Sequence, residues 1–504
     1  MKESLESKFS RIFFGGFMKK GFDNELYVKS QIETIKERIK MFDNKLYLEF
    51  GGKLFDDHHA KRVLPGFELD AKIRLLEELK DQCEIIFCIN AKDIEKKIRA
   101  DYGISYDMEV IRLITIMRKL GISVNSVVIT LYKGQSSVNR FKEKLESMNV
   151  KTYIHTPTKG YPTDVEVIVS EEGYGANPYI ETTKPLVVVN APGPCSGKLA
   201  TCLSQLYHEH KRGIKAGYAK FETFPVWNLS LKHPVNVAYE AATADLDDRN
   251  MIDAFHLEAY GIKAVNYNRD LEVFPVLKNI LHKITGEDIY KSPTDMGVNS
   301  IGSCIFDDEI VKTAAKKEIL RRYYKALVDS KQGSIDEDIP KRIKLLINEL
   351  KIDNKILKVI EKSKSKEKRS KKRAMALELD DGTIITGRQT KLLSPAASLI
   401  LNCIKHLSDI PDEIDLLSPS VLKPILKLKK ESLSNGSTLN LNDVLIALSI
   451  CTTTNPIAES AIKNLKKLNN CDCHATYIVE KADLDALRSL LINLTCEPIF
   501  YNEY

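Results

Sequence analysis

The sequence contains no run of the roughly 18 consecutive apolar residues that a membrane-spanning helix needs. Its ten cysteines lack the tight, even spacing of a disulfide scaffold, and no cleavable signal precedes them. A Cys-x-x-Cys pair is also missing, although Cys471-Asp-Cys473-His474 comes near one, so we expect no zinc site. These absences predict a cytoplasmic protein with reduced thiols and no membrane partner.

An excess of one charge sign is missing as well, because 75 basic and 69 acidic residues leave a net charge of +6. The run Lys362–Arg373 alone holds eight basic residues and one acidic residue, so the rest of the chain, with 67 basic and 68 acidic residues, is nearly neutral. The run has no aromatic residue for base stacking. We interpret it as a solvated linker. Salt-sensitive contact with polyanions such as RNA is the alternative, and nucleic acid is not the partner that we expect.

What is present is an ordinary globular composition, with 43% hydrophobic and 29% charged residues over 504 positions, a length suited to about three domains. From about residue 19 to 290, short apolar runs alternate with helical patterns, as in βαβ units. We therefore predict an α/β fold with a mostly parallel sheet over residues 18–306, a helical region and basic linker over 307–373, and a smaller C-terminal α/β subdomain over 374–504. Residues 1–17 are expected to be a disordered tail or a start-site artefact, with Met18 as the native start.

Several elements within these regions can be placed individually. Apolar runs predict strands at Leu46–Phe50, Asp164–Val169 and Pro185–Asn190. Asp381-Gly382, between two further strand patterns, predicts the turn of a hairpin. Asp270 is a natural N-cap for a helix that follows it.

The sharpest chemical signal is the order strand, glycine-rich loop and helix over residues 186–206. Glycines let backbone N–H groups turn inward, the helix N-terminus carries partial positive charge, and a lysine reaches the outer phosphates. Gly193, Ser196, Gly197 and Lys198 occupy fitting places. We expect these residues to bind the phosphates of a cofactor such as ATP or another nucleotide with Mg²⁺, and we expect Lys198 to be catalytic as well.

The loop departs from the phosphate-loop pattern Gly-x4-Gly-Lys-Ser/Thr in two ways. Gly193 lies one residue too close to Gly197, and the residue after Lys198 is Leu199, which has no hydroxyl for Mg²⁺. Thr201 lies roughly 200° around the helix from position 199 and cannot simply replace that hydroxyl. Phosphate binding is therefore the stronger expectation, and nucleotide hydrolysis or transfer is the weaker one.

The loop also carries a resemblance. The run PGPCSGKLATCLSQLYHE, over Pro192–Glu209, resembles the signature of an uncharacterised family of bacterial proteins. Further segments that resemble the same family are Gly21–Tyr27, Phe50–Ala60, His233–Asp245, Tyr267–Asp270 and Ser292–Asn299. The resemblance covers nearly the whole chain from Met18 onward. It implies an α/β protein with extra helical and C-terminal subdomains, and it brings no assigned reaction.

Charged residues near an expected strand and after an expected helix are further candidates. Lys220 and Glu222 are candidate catalytic residues, because charged groups at this place position the acceptor substrate in many nucleotide-dependent ligases and kinases. An edge strand with alternating polar residues is the alternative. Asp245 and Asp248 could hold Mg²⁺ through carboxylate oxygens, although a solvated helix end is the simpler explanation.

The loop after the first predicted strand is the second candidate site, because ligands of open α/β sheets gather at the carboxyl ends of strands. Gly51 and Gly52 would approach a substrate there, Lys53 would attract an anion, and His58 or His59 would carry a proton. Adjacent histidines on an extended backbone point to opposite sides, so they are poor ligands for one metal. An ordinary exposed loop is the alternative.

Single residues elsewhere complete the set of candidates. Arg269 is a candidate phosphate clamp. Asp295 and Asn299, in a polar loop that contains a glycine, are candidate substrate contacts or parts of a domain hinge. Cys195 precedes a helix, where thiol pKa values are depressed, but a small residue inside a glycine-rich loop needs no catalytic role.

Two functions from different classes are consistent with these residues. The first is an enzyme that binds a nucleotide or another small phosphorylated ligand at residues 193–198 and performs phosphoryl transfer or ATP-dependent ligation on a small polar substrate. The rival is a noncatalytic, anion-binding scaffold that forms homo-oligomers. The missing hydroxyl after Lys198 favours the rival.

Overall fold

The computed structural model describes residues 20–99, 103–431 and 438–502. The chain divides into an N-terminal unit that ends at Ala315 and a C-terminal unit that begins at Lys316. The division falls inside one helix, just after the boundary predicted at residues 306 and 307. The tail or start-site artefact predicted for residues 1–17 lies outside the described residues. Within the described ranges, no helix combines the length and the apolar character that crossing a bilayer requires.

The N-terminal unit is built on a seven-stranded sheet in which all neighbouring strands run parallel, as the alternation of strands and helices predicts. The strands of this unit are, in chain order, β1 (Leu46–Phe50), β2 (Cys83–Asn90), β3 (Ile98–Arg99), β4 (Ile104–Ser105), β5 (Ser123–Thr130), β6 (Lys151–Ile154), β7 (Leu186–Asn190), β8 (Gly217–Phe221), β9 (Asn250–Ile252), β10 (Val265–Tyr267) and β11 (Gly297–Val298). Two small antiparallel ribbons pair β3 with β4 and β9 with β10, and the other seven strands form the sheet.

The helices of this unit connect the strands and cover the sheet. They are α1 (Asn24–Met41), α2 (His58–Val63), α3 (Ala71–Glu78), α4 (Tyr106–Lys119), α5 (Ser137–Ser147), α6 (Val165–Ile168), α7 (Lys198–Lys211), α8 (Pro234–Ala242), α9 (Ala254–Tyr260), α10 (Asn268–Thr285) and α11 (Pro293–Met296), and α12 (Asp308–Lys331) then continues into the C-terminal unit.

The order of strands across the sheet is β11-β8-β1-β7-β2-β5-β6. The chain leaves β1 toward β2, past β7, and it leaves β7 in the opposite direction toward β8, past β1. Two adjacent strands whose connections depart in opposite directions form a topological switch point, and open α/β sheets bind ligands in the crevice outside such strand ends. The loops after β1 and β7 therefore lie where this fold offers a binding crevice.

The core of the N-terminal unit follows from the apolar strands. Every residue of β7 is buried, which explains why its sequence reads as a continuous apolar run rather than as an alternating one. In β1, Leu46, Tyr47 and Leu48 are also fully buried. Glu49 is the exception in that strand, because it is only partly buried.

Two local predictions in this unit are wrong. The segment predicted as a strand over Asp164–Val169 contains the short helix α6, because the carboxylate of Asp164 accepts a hydrogen bond from the amide of Val167 and caps a helical turn. Asp270 is not an N-cap, since α10 already begins at Asn268. Its carboxylate instead accepts a hydrogen bond from Lys220.

The C-terminal unit contains a four-stranded mixed sheet, as predicted for a smaller α/β subdomain. Its strands are β12 (Ala374–Glu378), β13 (Ile384–Arg388), β14 (Asp472–Ala475) and β15 (Asn493–Cys496), in the order β13-β12-β14-β15. The hairpin of β12 and β13 is antiparallel, and Gly382 adopts a positive φ of 84° in its turn, which confirms the Asp-Gly prediction. The helices of this unit are α13 (Asp338–Glu349), α14 (Lys358–Ser370), α15 (Pro395–His406), α16 (Pro419–Glu431), α17 (Leu441–Cys451), α18 (Pro456–Lys463) and α19 (Lys481–Ser489).

The basic run Lys362–Arg373 is not a solvated linker. Most of it lies in α14, whose Val359, Ile360 and Ser363 are buried where the helix packs against β12. Three residues at this helical spacing form one covered face, so the lysines occupy the remaining faces of a packed helix. The sequence hides this arrangement because the apolar residues that anchor the helix precede the charged run.

Candidate functional site

The loop between β7 and α7 adopts, at two positions, a backbone conformation that favours glycine. Gly197, the N-cap of α7, has a φ of 79° and makes no side-chain cap, and Cys195 has a φ of 54°. Positive φ is unusual for a residue with a side chain, so the conformation at Cys195 is strained. The first amides of α7 have no intrahelical acceptors, and together with the helix dipole they favour an anion in front of Gly197.

Hydrogen bonds from two neighbouring strands hold the loop in place. The hydroxyl of Thr130, at the end of β5, donates to the carbonyl of Ser196 at 2.8 Å, and the side-chain amide of Asn90, at the end of β2, donates to the carbonyl of Cys195 at 3.4 Å. The hydroxyl of Ser196 donates to the carbonyl of Gly193 at 2.8 Å. Ser196, predicted to bind the cofactor, thus supports the loop from within and is buried.

Close packing explains why glycines occupy positions 193 and 197. A Cβ atom at Gly193 would lie 2.5 Å from the hydroxyl oxygen of Tyr106, the first residue of α4. A Cβ atom at Gly197 would lie 2.9 Å from the side chain of Thr130. Both distances are shorter than real Cβ contacts. At Gly197 the positive φ and the buried Thr130 favour glycine, whereas a side chain at position 193 would require the ring of Tyr106 to move.

Lys198 lies beside a glutamate that the sequence analysis did not single out. Its Nζ atom is 4.0 Å from Oε1 of Glu49 on β1, and the hydroxyl of Tyr218 on β8 donates to Oε2 of Glu49 at 2.8 Å. The side chains of Lys198 and Glu49 are 15% and 12% exposed. Thr201, one turn along α7, donates its hydroxyl to the carbonyl of Gly197 and is fully buried.

Lys220 is the centre of a second charged group. Its Nζ atom lies 2.6 Å from Oε1 of Glu222 and 2.6 Å from Oδ2 of Asp270. Burial raises the pKa of Glu222 to about 7, against the opposing effect of Lys220. Burial alone would lower the pKa of Lys220, but the carboxylates around it, first that of Asp270, outweigh burial and raise this pKa.

Asp248 and Arg269, predicted separately as a metal ligand and a phosphate clamp, bind each other. Nε of Arg269 lies 2.6 Å from Oδ1 of Asp248, and a terminal nitrogen donates to Oδ2 at 2.9 Å. Burial raises the pKa of Asp248 in spite of this ion pair. Asp245 is exposed, in a short 3-10 turn before Asp248. Across the described residues, no group of three or more His, Cys, Asp or Glu side chains is placed to hold a metal ion.

The loop after β1 lies against the end of β8. The amide of Gly51 donates to the carbonyl of Phe221 at 2.9 Å, and a Cβ atom at Gly51 would lie 3.9 Å from Cγ of Glu222. The side-chain amide of Asn190, at the end of β7, donates to the carbonyl of Phe50 at 3.1 Å. Three strand ends are therefore joined at the switch point, and Gly51 and Glu222, which were predicted as parts of two separate sites, lie close together.

A buried ion pair supports the rest of this loop. Nζ of Lys72 lies 2.9 Å from Oδ2 of Asp57, and a Cβ atom at Gly52 would approach Nζ of Lys72 to 3.2 Å. Lys53 is exposed. His58 is the first residue of α2, and burial lowers its pKa, with a further contribution from Arg62.

Aromatic side chains cover one side of the charged groups. The ring of Tyr239 stacks on Phe224, with 5.2 Å between centroids, and His59 meets both rings edge-on. Burial raises the pKa of Tyr239, and the carboxylates of Glu222, Asp57 and Asp248 add to that rise. Among the two adjacent histidines, His59 is thus the one that packs in this aromatic cluster.

Asp295 and Asn299, predicted to contact substrate, are engaged in holding backbone. Oδ2 of Asp295 accepts hydrogen bonds from the amides of Lys291 and Ser292 in a capping box at the start of α11. The side-chain amide of Asn299 donates to the carbonyls of Thr223 and Pro225, at 3.3 and 3.0 Å. Asn299 therefore fixes the segment that follows Glu222.

Taken together, the charged groups at this edge of the sheet leave one excess carboxyl. Three basic side chains accompany four acidic ones, namely Lys198, Lys220 and Arg269 with Glu49, Glu222, Asp248 and Asp270. With a pKa of about 7, Glu222 is partly protonated at neutral pH, which reduces this excess negative charge. Glu49 and Asp270 were missed by the sequence analysis. The available signal was a charged residue inside an apolar strand, which Glu49 shares with its register partner Lys220.

Comparison with known proteins identifies relatives along the whole described chain. Residues 20–351 match a family described as domain of unknown function DUF1846, N-terminal, and residues 355–504 match the corresponding C-terminal domain. A UPF0371 protein of Clostridium botulinum (strain Kyoto / Type A2) is 55% identical over 497 residues, which cover 96% of this chain and 99% of that protein. A UPF0371 protein of Clostridium tetani (strain Massachusetts / E88) is 54% identical over 497 residues, with the same coverage.

Proposed function

The chain belongs to the DUF1846 family, and on that premise we propose that it is an enzyme that binds a nucleotide or another small phosphorylated ligand at the loop of residues 193–198. The reaction we propose is phosphoryl transfer or ATP-dependent ligation on a small polar substrate beside Glu222. One observation carries the proposal. The glycine-rich loop and the Lys220–Glu222–Asp270 group flank the same strand, β1, at the switch point of the sheet.

The phosphate would be bound mainly by backbone. The amides that follow Gly197 and the dipole of α7 favour an anion, and the positive φ at Cys195 and Gly197 shapes the loop in front of them. Lys198 adds a positive charge that is only weakly paired, since the 4.0 Å distance between its Nζ atom and Oε1 of Glu49 is at the outer limit of an ion pair. Lys198 can therefore exchange Glu49 for a phosphate oxygen.

Glu222 would transfer the proton of the acceptor substrate. A carboxyl group with a pKa of about 7 exchanges protons readily at neutral pH, which suits a general base. Lys220 is held at 2.6 Å by two carboxylates, so it orients Glu222 and Asp270 more readily than it binds a ligand itself. In this arrangement Lys220 is a positioning residue and Glu222 is the catalytic one.

Mg²⁺ would be held through phosphate oxygens and not by a protein cage. Mg²⁺ usually keeps several waters and takes one or two carboxylates together with substrate phosphates. Asp245, which is exposed, and Asp248, which is paired with Arg269, are the candidate carboxylates. The metal would supply charge neutralisation on the phosphates.

The ten cysteines form no disulfides, which supports a cytoplasmic location.

Isothermal titration with ATP, GTP and inorganic phosphate, each with and without Mg²⁺, tests the proposal. We expect nucleotide binding that Mg²⁺ strengthens and that Lys198→Ala weakens about 10-fold or more, because a charge-assisted hydrogen bond is lost. Lys215→Ala, which changes an exposed lysine shortly after α7, is the matched control and should leave the affinity within about twofold. Binding that ignores Mg²⁺ and persists in Lys198→Ala would favour the noncatalytic, oligomeric scaffold instead.

A further inference from the structure

The C-terminal unit contains a cavity of about 530 Å³. It is lined by residues of α14, β13, α15 and α16 and of the segments that follow β13 and lead into α16. Pockets of roughly 300 to 1,000 Å³ are typical of small-molecule sites. The size alone therefore fits a small ligand.

Much of the cavity lining is apolar. Seven leucines line it, including Leu401 on α15, Leu417 before α16, and Leu422 on α16. Leu401 and Leu417 are buried, so these side chains form a wall and not a loose surface patch. A wall of this kind contacts an aliphatic or otherwise apolar part of a ligand.

The charged residues of the lining are mostly basic. Lys366, Arg388, Lys405 and Lys423 line it, against the single acidic residue Asp415. Lys405 donates to the backbone carbonyl of Asp412 at 2.9 Å. Lys366, Arg388 and Lys423 form no ion pair with any carboxylate in the part of the chain that the structure describes. Their charge is therefore available to an anion.

Ser398 on α15 also lines the cavity and is only 8% exposed. Its Oγ atom is buried and has no hydrogen-bond partner among the described residues. Because that atom is closed off from solvent, the hydroxyl itself does not face the open part of the cavity.

We propose that this cavity binds an amphipathic anion, a carboxylate or phosphate group on an aliphatic body. The anionic group is held by Arg388 and Lys366, and the aliphatic body lies along the leucine wall. None of these residues belongs to the loop of residues 193–198 or to the groups around Lys220, so the inference stands apart from the proposed function.

Titration of the full-length protein with four probes tests this inference. Octanoate and octyl phosphate carry both parts of the ligand, octanol lacks the charge, and inorganic phosphate lacks the aliphatic body. At this site we expect one molecule of octanoate or octyl phosphate per chain, in addition to any phosphate group that the loop of residues 193–198 binds, and at least about 10-fold weaker binding of octanol and of inorganic phosphate. The stronger of the two amphiphiles identifies the head group. Octanol binding as tightly as either amphiphile, or no saturable binding of either one, would overturn the proposal.

Variants locate the site within the protein. Arg388→Met should weaken binding of the preferred amphiphile about 10-fold or more, and Lys423→Met should weaken it less, since the charge of Arg388 is assigned to the anionic group. Lys427→Met removes an exposed lysine one turn further along α16 that does not line the cavity, so its affinity should match that of the unaltered protein. Arg388 is itself exposed, so its replacement leaves the fold intact. Unchanged binding in Arg388→Met would refute the assignment of the head group to this arginine.

Discussion

In the N-terminal unit, Nζ of Lys220 lies 2.6 Å from carboxylates of both Glu222 and Asp270, whereas Arg388 in the C-terminal cavity forms no ion pair with a described carboxylate. The same contrast holds for Arg269, which binds Asp248 through two contacts, and Lys366, which pairs with no described carboxylate. Paired cations orient carboxylates and lower their pKa values, an effect that burial outweighs at Glu222. Unpaired cations beside an apolar wall attract anions from solution. The residue type alone therefore does not separate the two roles.

Removing one cation from each site breaks the comparison most directly. Lys220→Met leaves Glu222 and Asp270 partly buried without their partner, which should lower the free energy of opening around β8 by about 3 kcal/mol or more. Arg388→Met removes a cation that forms no ion pair with a described carboxylate, so no carboxylate loses its partner. The stability around β13 should therefore change by less than about 0.5 kcal/mol. Hydrogen–deuterium exchange of peptides containing β8 and β13 measures both effects locally. Equal losses in the two variants would contradict the contrast.

The pH dependence of Glu222 sharpens the comparison further. Because folding raises the pKa of Glu222 from 4.5 to about 7, its contribution to stability is complete below about pH 4.5 and is lost as the pH rises toward 7. Glu222→Gln removes this titration and leaves Lys220 paired with Asp270. We expect the stability of the unaltered protein relative to this variant to fall by roughly 2 to 3 kcal/mol between these pH values.

Exchange protection of β8 across that pH range supplies the measurement. Glu258→Gln is the control, since Glu258 is exposed on α9 and its replacement should give a difference that does not change with pH. A flat difference for Glu222→Gln as well would show that the folded protein does not raise the pKa of this carboxyl.

Two serines on one helix give the smallest and most closely matched test. Ser394 caps α15 by accepting a hydrogen bond from the amide of Ala397, so Ser394→Ala should cost about 1 kcal/mol. Ser398, one turn later, has a buried hydroxyl without a described partner, so Ser398→Ala should be neutral or slightly stabilising in the absence of a ligand. The unfolding temperature should therefore be lower in Ser394→Ala than in Ser398→Ala. A loss in Ser398→Ala as large as that in Ser394→Ala would indicate a protein partner for the hydroxyl.

The strands of the N-terminal unit were largely predictable because they bury continuous apolar runs. Leu46–Phe50 and the residues before the glycine-rich loop show this, and Asp381-Gly382 marked the hairpin by turn chemistry. Asp164–Val169 was predicted wrongly since its β-branched residues suit a strand, while a single side-chain cap at Asp164 makes it helical. The interpretation of the basic run 362–373 as a linker is wrong, because the buried residues that hold this helix against the sheet, Val359 and Ile360, lie before the run.

The candidate site was predictable in its loops but not in its charge pairs. Gly193, Gly197 and Gly51 lie at strand ends, and strand ends can be located from local patterns. Lys220 pairs with Asp270, 50 residues later in the sequence, and Lys198 lies near Glu49, from the first strand. Local patterns carry no information about such distant partners. For that reason Lys220 was expected to act on substrate, whereas its contacts favour a positioning role.

The position of β1 between β7 and β8 has a consequence for how the protein is made. Leu46 pairs with Leu186 on one side and with Gly217 on the other, so the first strand of the sheet emerges from the ribosome long before either neighbour exists. At roughly 5 to 20 residues per second, translation takes on the order of 7 to 28 s to travel from residue 46 to residue 186. During that interval the apolar residues of β1 have no partner strand on either side. Exposed apolar segments of this kind are what chaperones bind. The crevice around Gly51 is completed only after Phe221 has been synthesised, so its assembly is a late event on the ribosome.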